Sequence, residues 1–586
     1  MSNTTTGGSA GTVPKPEKAG WFDFSHLRGD IYGGVTAGIV ALPLALAFGE
    51  ASGAGPVAGL WGAIITGFFA AMLGGTQTQI TGPTGPMVVV FAGLVGSITL
   101  QADGTRISFE EAAGLIFTAV VLAGIIQVLM GVFKFGNTIR LVPYPVISGF
   151  MSGIGVIIIL LQFSRLFGSE PDGGGTIAAV QAIPGAISNP NFAALGIGLL
   201  TLAIVFFWPP KIGKYLPGAL AALIIGTILG LFVEIPILEQ DLPEDFGGGL
   251  AALPPFLVPD FGLLSGSTAL IVVEAAIVLA LLGAIDSLLT SLVADNATRT
   301  RHDSDQELIG QGVANGIAGL FSSIPGAGAT MRTMVNIKTG GVTRLSGMIA
   351  GLLLLSIVLV FSGLAAKIPH AVLAGILVKV GYDIIDVAYI KRSHKGPRWD
   401  LLLMAVVLLL TVFWNLIFAV LIGVFLGALA YVKNIADQQL ESFGEDVVTP
   451  LSSEEERILK DSKGNIQLFE FDGPLSFGAA ADLSHYVRDK VRNTDAIVLD
   501  FSRKPRVDVS AARAVQSIVT DARDSKKAVF ACGVNDLIAS QLKGLGADEG
   551  LQPGYETTTR LQALRLAEAA TQGGGSAPAG AAPQPA

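Results

Sequence analysis

The chain has 586 residues, of which 51% are hydrophobic and only 14% charged; soluble domains carry roughly 25% charge, so this balance, with a mean hydropathy of +0.62, is that of a polytopic membrane protein. A net charge of −9 argues against a nucleic-acid partner, a single cysteine excludes an intramolecular disulfide framework, and five scattered histidines argue against a structural metal site.

Residues 1–25 are polar, lack the apolar core of a signal peptide, and are expected as a disordered cytoplasmic arm. A membrane domain follows over 26–435. Its apolar stretches at 31–49, 57–74, 113–133, 142–164, 191–208, 215–233, 268–292, 308–324, 343–363, 369–385, 400–414 and 416–432 approach the roughly 20 residues of a spanning helix. Two more, 84–100 and 329–338, are too short or too polar to cross alone. Counted as interrupted half-spans, they bring the total to fourteen segments.

Loop charge supports that count. With the N-terminus inside, the inner loops hold Lys134, Arg140, Lys211, Lys214, Arg299, Arg301, Lys338, Arg344, Lys391, Arg392, Lys395 and Arg398. The outer loops hold only Arg106 and Lys367, and the long ones at 167–190 and 234–260 have no lysine or arginine. This is the positive-inside bias, and dropping either half-span would invert every loop between them. An even count also leaves the C-terminus in the cytoplasm.

Composition changes near residue 435. Residues 436–463 are expected as a linker, 464–570 as a small α/β domain and the Pro/Gly-rich 571–586 as a disordered tail. Within the domain, 466–471, 496–501 and 528–534 predict strands, and 510–524 predicts a helix.

The half-spans share one design. "QITGPTGPMVVV" (79–90) and "SSIPGAGATMRTMVN" (322–336) each have an extended Gly/Pro/Thr lead-in followed by a half-helix. They stand third and tenth among the fourteen segments, hence third in each set of seven, the pattern of two inverted seven-segment repeats. Such repeats bring broken helices together at the bilayer midplane. Helix N-termini offer free N–H groups and about half a positive charge each, so two of them facing one cavity form an anion site. The bland alternative is a pair of kinks in packed helices.

Between the half-spans, "LLGAIDSLLTSLVADNATRT" (281–300) places Asp286 inside an apolar span, with Thr290 one turn later on the same face. An intramembrane carboxylate is a functional-site hypothesis by default. Together with unwound carbonyls from "GAGAT" it offers all-oxygen coordination for a hard cation such as sodium. A neutral, proton-carrying carboxyl and a structural polar contact are the alternatives. Glu50 closes the first apolar run, either at a break in that helix or at its outer end. Arg332 follows the second break, and either adds positive charge to the anion site or snorkels away from it.

On "RGDIYGGVTAGIVALPLALAFG", "GPTGP", "YPVISGFMSGIG", "IDSLLTSLVAD", "ELIGQG" and "AGATM" the chain resembles the sulfate permease (SulP) family of anion transporters, and within it the BicA-type sodium–bicarbonate symporters. The C-terminal domain is similar to the family's STAS domain. The resemblance implies fourteen segments in two inverted repeats, core and gate domains, and a homodimer that the STAS domains help to hold. It would place sodium at Asp286 and Thr290, with Gly328, Ala329 and Thr330 opposite, and the anion near Thr84, Gly85, Ala329 and Thr330. Arg332 and Glu50 depart from the BicA-type pattern, which has a small and an apolar residue there. Sulfate-transporting relatives often carry an arginine at the first position, and an extra acid could carry a proton. Ser510 stands where related STAS-type proteins carry a phosphorylatable serine; as a plain structural feature it is a helix N-cap.

The expectation is a secondary transporter of the plasma membrane that takes up bicarbonate with sodium by an elevator-like motion, with no cofactor beyond that coupling ion. Proton-coupled sulfate or another anion is the alternative within the class. An uncoupled anion channel or a nonconducting sensor is the alternative outside it. No nucleophile–base pair or phosphate-binding loop suggests an enzyme.

Overall fold

The computed structural model describes residues 24–572, apart from 100–106, 138–142, 170–175, most of 239–265, 415–417, 434–449, 472–486, 504–508 and isolated single or paired positions. The arm expected at 1–25, all but two of its residues, and the tail expected at 571–586, again all but two, lie outside that description, as does most of the loop expected at 234–260. The chain forms two compact units, Met1–Phe425 and Leu426–Ala586.

The first unit is helical. α1 (Leu27–Ala51) and α2 (Gly55–Leu73) lead into a two-residue strand β1 (Thr81–Gly82) and the short α3 (Gly85–Thr99). Then come α4 (Phe109–Val132), α5 (Tyr144–Leu166), α6 (Thr176–Ser188), α7 (Phe192–Phe207), α8 (Pro210–Gly213) and α9 (Gly218–Gly230). The second half repeats the motif: α10 (Gly266–Thr298), α11 (Ser304–Leu320), strand β2 (Ala327–Gly328) and the short α12 (Thr330–Lys338). α13 (Arg344–Ala365), α14 (His370–Ile384), α15 (Val387–Ser393) and α16 (Arg398–Phe413) complete it, and α17 (Leu421–Ala430) runs across the boundary between the units.

Proline decides where the broken segments are extended. Gly82 precedes Pro83 and Ile324 precedes Pro325, and a residue before proline is driven out of the helical region. β1 and β2 therefore run extended and pair antiparallel, Thr81 with Gly328 and Gly82 with Ala327. The helices that follow have 15 and 9 residues, too few to cross a bilayer at 1.5 Å per residue.

Among the described residues five helices are long and apolar enough to span a membrane, six if α6 and α7 count as one bent span. α6 was not expected: residues 167–190 read as an outer loop. Its 13 residues include Pro184, and its axis meets that of α7 at 117°. It is too short for a hydrophobic-length criterion, yet apolar enough to pack.

The helices sort into two bundles. α1–α4 pack with α10–α13, with α4 against α11 and α1 against α13 as the largest contacts. α6, α7, α9 and α16 gather around α5 and α14. The bundles meet where α1 faces α14 and α9, and where α3 faces α5.

The second unit is built on a parallel sheet of β3 (Ile466–Glu470), β4 (Ala496–Asp500) and β5 (Ala528–Cys532), with β4 central. Every residue of β4 is buried, as both faces of a parallel strand must be covered. One face packs under α19 (Val509–Asp524) and α20 (Asp536–Gly544), where Phe471 and Phe501 stack at 4.5 Å. The other is covered by α18 (Ser453–Asp461) and α21 (Arg560–Gln572). α18 lies inside the stretch expected as linker; Ser452 and Glu455 close a capping box at its start, and Ile458 is fully buried. α19 begins at Val509, so Ser510 sits inside the first turn and not at the N-cap; the helical dihedrals start one residue before the serine. The Ser510 side chain lies outside the described residues.

Candidate functional site

The paired strands β1 and β2 cross beside the middle of α10, which has 33 residues. Ser287, Thr290 and Ser291 form a fully buried hydroxyl stripe on that helix. Each hydroxyl finds a partner at the crossing. Thr290 Oγ1 donates to the Gly328 carbonyl at 2.9 Å and lies 2.8 Å from Thr330 Oγ1. Ser287 Oγ accepts the Gly328 N–H at 3.0 Å, and Ser291 Oγ donates to Gln79 Oε1 at 3.0 Å. The crossing is closed from the other side by Ala329 N–H donating to Ile80 O at 2.8 Å and Ile80 N–H donating to Thr333 Oγ1 at 3.0 Å.

Thus the expected residues Thr290, Gly328, Ala329 and Thr330 come together, and Thr290 Oγ1 lies within hydrogen-bond distance of both Gly328 O and Thr330 Oγ1. Asp286, one turn before Thr290, lines a small cavity of about 20 Å³ together with Pro86, Val146, Phe150, Met151 and Ile285. That cavity lies between the two bundles, with α3 and α10 on one side and α5 on the other.

Arg332 is 2% exposed, so it does not snorkel. Its Nη2 donates to Pro83 O at 2.5 Å, folding the guanidinium back over β1. Only glycine permits this: a Cβ on Gly82 would stand 2.4 Å from Arg332 Nη1. The charge of Arg332 is felt at Asp286. Thr84 and Ala329, 8% and 9% exposed, border the same place, where α3 and α12 begin. Gly85 opens α3; a Cβ there would press on Ile384 and Ile158 of the other bundle at 2.7 and 2.9 Å.

Among the described residues Asp286 Oδ2, Thr84 Oγ1 and Arg332 Nη1 are buried without a hydrogen bond of normal geometry, the Thr84 hydroxyl lying toward the Asp286 carboxyl. Burial without a partner costs about 1–3 kcal/mol for a neutral group and more for a charged one. Three such atoms, an anion, a hydroxyl and a cation, make this place the candidate site for a ligand. First-turn N–H groups of α3 and α12 add donors on the same side.

Glu50 is elsewhere. α1 continues without a break through Ala51, so the reading at a helix break is set aside. The carboxylate stands at the helix end yet is only 7% exposed, 3.4 Å from Arg165 Nη2 of α5 and 3.4 Å from His370 Nδ1 of α14. It ties the first bundle to the second through an ion pair with Arg165 and a contact with His370 that sequence distance concealed. Also missed were Gln79, Ser287, Ser291 and the polar row Glu307, Gln311 and Asn315 on α11. The signal was present in the last case: three polar residues at intervals of four on an apolar helix share one face.

Residues 27–407 match the sulfate permease family and residues 457–560 match the STAS domain. The bicarbonate transporter BicA of Picosynechococcus sp. is 41% identical over 551 residues, covering 93% of this chain and 95% of that protein. The solved transmembrane domain of a cyanobacterium bicarbonate transporter BicA superposes with a TM-score of 0.63 at 45% identity, over 68% of this chain and 98% of that one. SLC26A9 superposes with a TM-score of 0.73 over 94% of this chain and 92% of its own, at 17% identity, a likeness of fold alone.

Proposed function

The chain belongs to the sulfate permease family, and we propose that it takes up bicarbonate together with sodium across the plasma membrane. The observation that carries this reading is the cluster of unpartnered buried atoms at Asp286, Thr84 and Arg332 beside the Thr290–Gly328–Thr330 oxygens. Asp286, Thr290, Gly328 O and Thr330 form an all-oxygen set suited to a hard monovalent cation. The anion would lie against Thr84, Gly85, Ala329 and Arg332 Nη1, at the positive ends of α3 and α12. With a cation beside it, Asp286 no longer repels the anion, so each ion raises the affinity for the other.

All these groups lie in the first bundle, whereas α5 closes one wall of the cavity from the second. An elevator-like displacement of the first bundle along the second would carry the whole site. Cytoplasmic termini, a cytoplasmic STAS domain and a homodimer belong to the same proposal; the Lys/Arg asymmetry of the loops supports the orientation.

Proton-coupled sulfate transport is the second reading, favoured by one observation: Arg332 Nη1 is buried at β1 without a hydrogen-bond partner among the described residues, and a full positive charge suits a dianion. The test is uptake of labelled bicarbonate and sulfate into proteoliposomes under imposed sodium or proton gradients. Bicarbonate uptake driven by inward sodium is expected. Uptake that follows a proton gradient and ignores sodium would replace the first reading with the second, and uptake indifferent to both gradients would favour a channel.

A further inference from the structure

Glu307 on α11 is 1% exposed and is none of the ligands named above. Its Oε2 accepts from the backbone N–H groups of Gly75 at 2.9 Å and Thr76 at 2.8 Å. Its Oε1 accepts from Gln79 Nε2 at 2.7 Å and Gln311 Nε2 at 2.8 Å. All four donors are neutral. An ionised carboxylate has about four lone-pair sites and no donor, so these four bonds use it fully. A glutamine in its place would turn an NH₂ group toward donors and leave at least one pair of them facing hydrogens.

The acid also decides the direction of two side-chain amides. Gln79 points its NH₂ at Glu307, so its Oε1 is left facing Ser291 Oγ on α10. Gln311 donates from the same nitrogen to Glu307 and, at 2.7 Å, to Thr81 Oγ1. These two glutamines flank the strand crossing. Thr81 is the register partner of Gly328. A Cβ on Gly328 would stand 2.5 Å from Gln79 Nε2, so the amide is packed directly on that glycine. Gly328 in turn supplies the carbonyl that Thr290 meets.

We propose that Glu307 is a positioning residue for the broken-helix site: by fixing the Gln79 and Gln311 amides it holds the Thr81–Gly328 pair, and with it the Gly328 carbonyl, where Thr290, itself in contact with Thr330, meets it. The consequence for transport rests on the cation reading given above; the positional role does not. Outer partners of ion ligands commonly alter metal affinity by about 10- to 100-fold when removed.

The experiment uses the full chain as wild type, as Glu307→Gln, and as Glu307→Gln combined with Gln79→Glu, which returns one carboxylate to the same contact from the opposite side. In proteoliposomes, Glu307→Gln is expected to raise the sodium concentration for half-maximal bicarbonate uptake by about tenfold or more. The bicarbonate half-saturation at saturating sodium should move less than about twofold, and the swapped pair should recover most of the loss. In detergent without sodium, amide exchange should quicken across 75–82 and 326–330 in Glu307→Gln and slow again in the swapped pair. Should Glu307→Gln not fold, Gln311→Met removes one donor and is expected to move both readouts in the same direction by less. Equal shifts in the sodium and bicarbonate constants, no rescue by the swap, or unchanged exchange at 326–330 overturns the proposal. If wild-type uptake ignores sodium, the cation reading fails by itself, and the exchange data alone decide the role of Glu307.

Discussion

In the C-terminal unit the half-buried Arg560 is held by a carboxylate through two direct hydrogen bonds. Arg560 Nε and Nη2 donate to the two carboxylate oxygens of Glu455 at 3.0 and 3.1 Å, Nη2 also reaches Pro450 O at 3.1 Å, and Nη1 stands 3.8 Å from Asp500 Oδ2. In the membrane unit Arg332 holds one carbonyl and leaves Nη1 unpartnered, and Asp286 leaves Oδ2 unpartnered beside it. Both places bring an acid near an arginine, but Glu455 and Arg560 are joined by direct hydrogen bonds, whereas Asp286 Oδ2 and Arg332 Nη1 have no such partner among the described residues. A closed pair holds elements together: Glu455 lies on α18 and Arg560 on α21. An open set stores an unmet demand, and unmet demand at a cavity wall is what a ligand answers. The two units therefore make opposite predictions for the same kind of substitution.

The largest effect is expected for Asp286→Asn, which keeps the shape and removes the charge. Sodium-driven bicarbonate uptake should vanish or become sodium-independent in proteoliposomes. A bare carboxylate at this depth costs about 3 kcal/mol, so the variant should melt at or above the wild-type temperature in sodium-free buffer. Sodium dependence retained in Asp286→Asn would move the cation site elsewhere.

Arg560→Met should do the reverse. It leaves Glu455 and Asp500 buried without their cation, a loss of about 3 kcal/mol in the C-terminal unit, read as an earlier unfolding transition of the full chain in calorimetry. Coupling of uptake to sodium should survive, because no ion ligand lies in that unit. The pH dependence sharpens this. Burial pushes the Glu455 carboxyl up, but bonds from Arg560 and Ser452 outweigh it and hold it below the usual carboxylate range. A depressed carboxyl stabilises the fold above its unfolded pKa and loses that contribution as pH falls through the folded value. Below about pH 4.3, the ordinary glutamate value, the wild-type transition should drop steeply and that of Arg560→Met much less.

Arg332→Gly should weaken sulfate binding at least about tenfold more than bicarbonate binding, since a desolvated charge partner matters most to the dianion. Equal losses would take Arg332 out of the anion site. Thr290→Ala, which removes one neutral oxygen, should raise the sodium half-saturation by only about three- to tenfold, one hydrogen-bond equivalent. A loss as large as that of Asp286→Asn would show that the hydroxyl stripe of α10 supports the fold of the crossing and not only the ion.

Much of this contrast was legible in the sequence because its causes are local. Pro83, Pro325 and the glycines around them break helices wherever they stand, so "ITGPTGP" and "IPGAGAT" announced two matched interruptions. Asp286 and Thr290 are four residues apart on one helix, and that spacing fixes their common face. What the sequence did not disclose depends on contacts between distant segments. The direction taken by Arg332 rests on the gap at Gly82; the pairing of Glu50 with Arg165 and His370 rests on how α1 meets α5 and α14. α6 escaped notice because a 13-residue helix containing Pro184 falls below any length criterion for a span. Glu307 escaped because its meaning lies in Gly75, Thr76 and Gln79, which only the fold brings to it.

The central claim, that the open set in the membrane unit is a sodium site, is tested most directly by the melting temperature of the detergent-solubilised full chain as sodium replaces choline at constant ionic strength. A ligand that binds only the folded state at 100 times its dissociation constant stabilises it by about 2.7 kcal/mol. The wild-type protein should melt progressively higher with sodium, and Asp286→Asn should not respond. A wild-type protein that melts at one temperature throughout, or an Asp286→Asn variant that gains as much as wild type, would contradict the account.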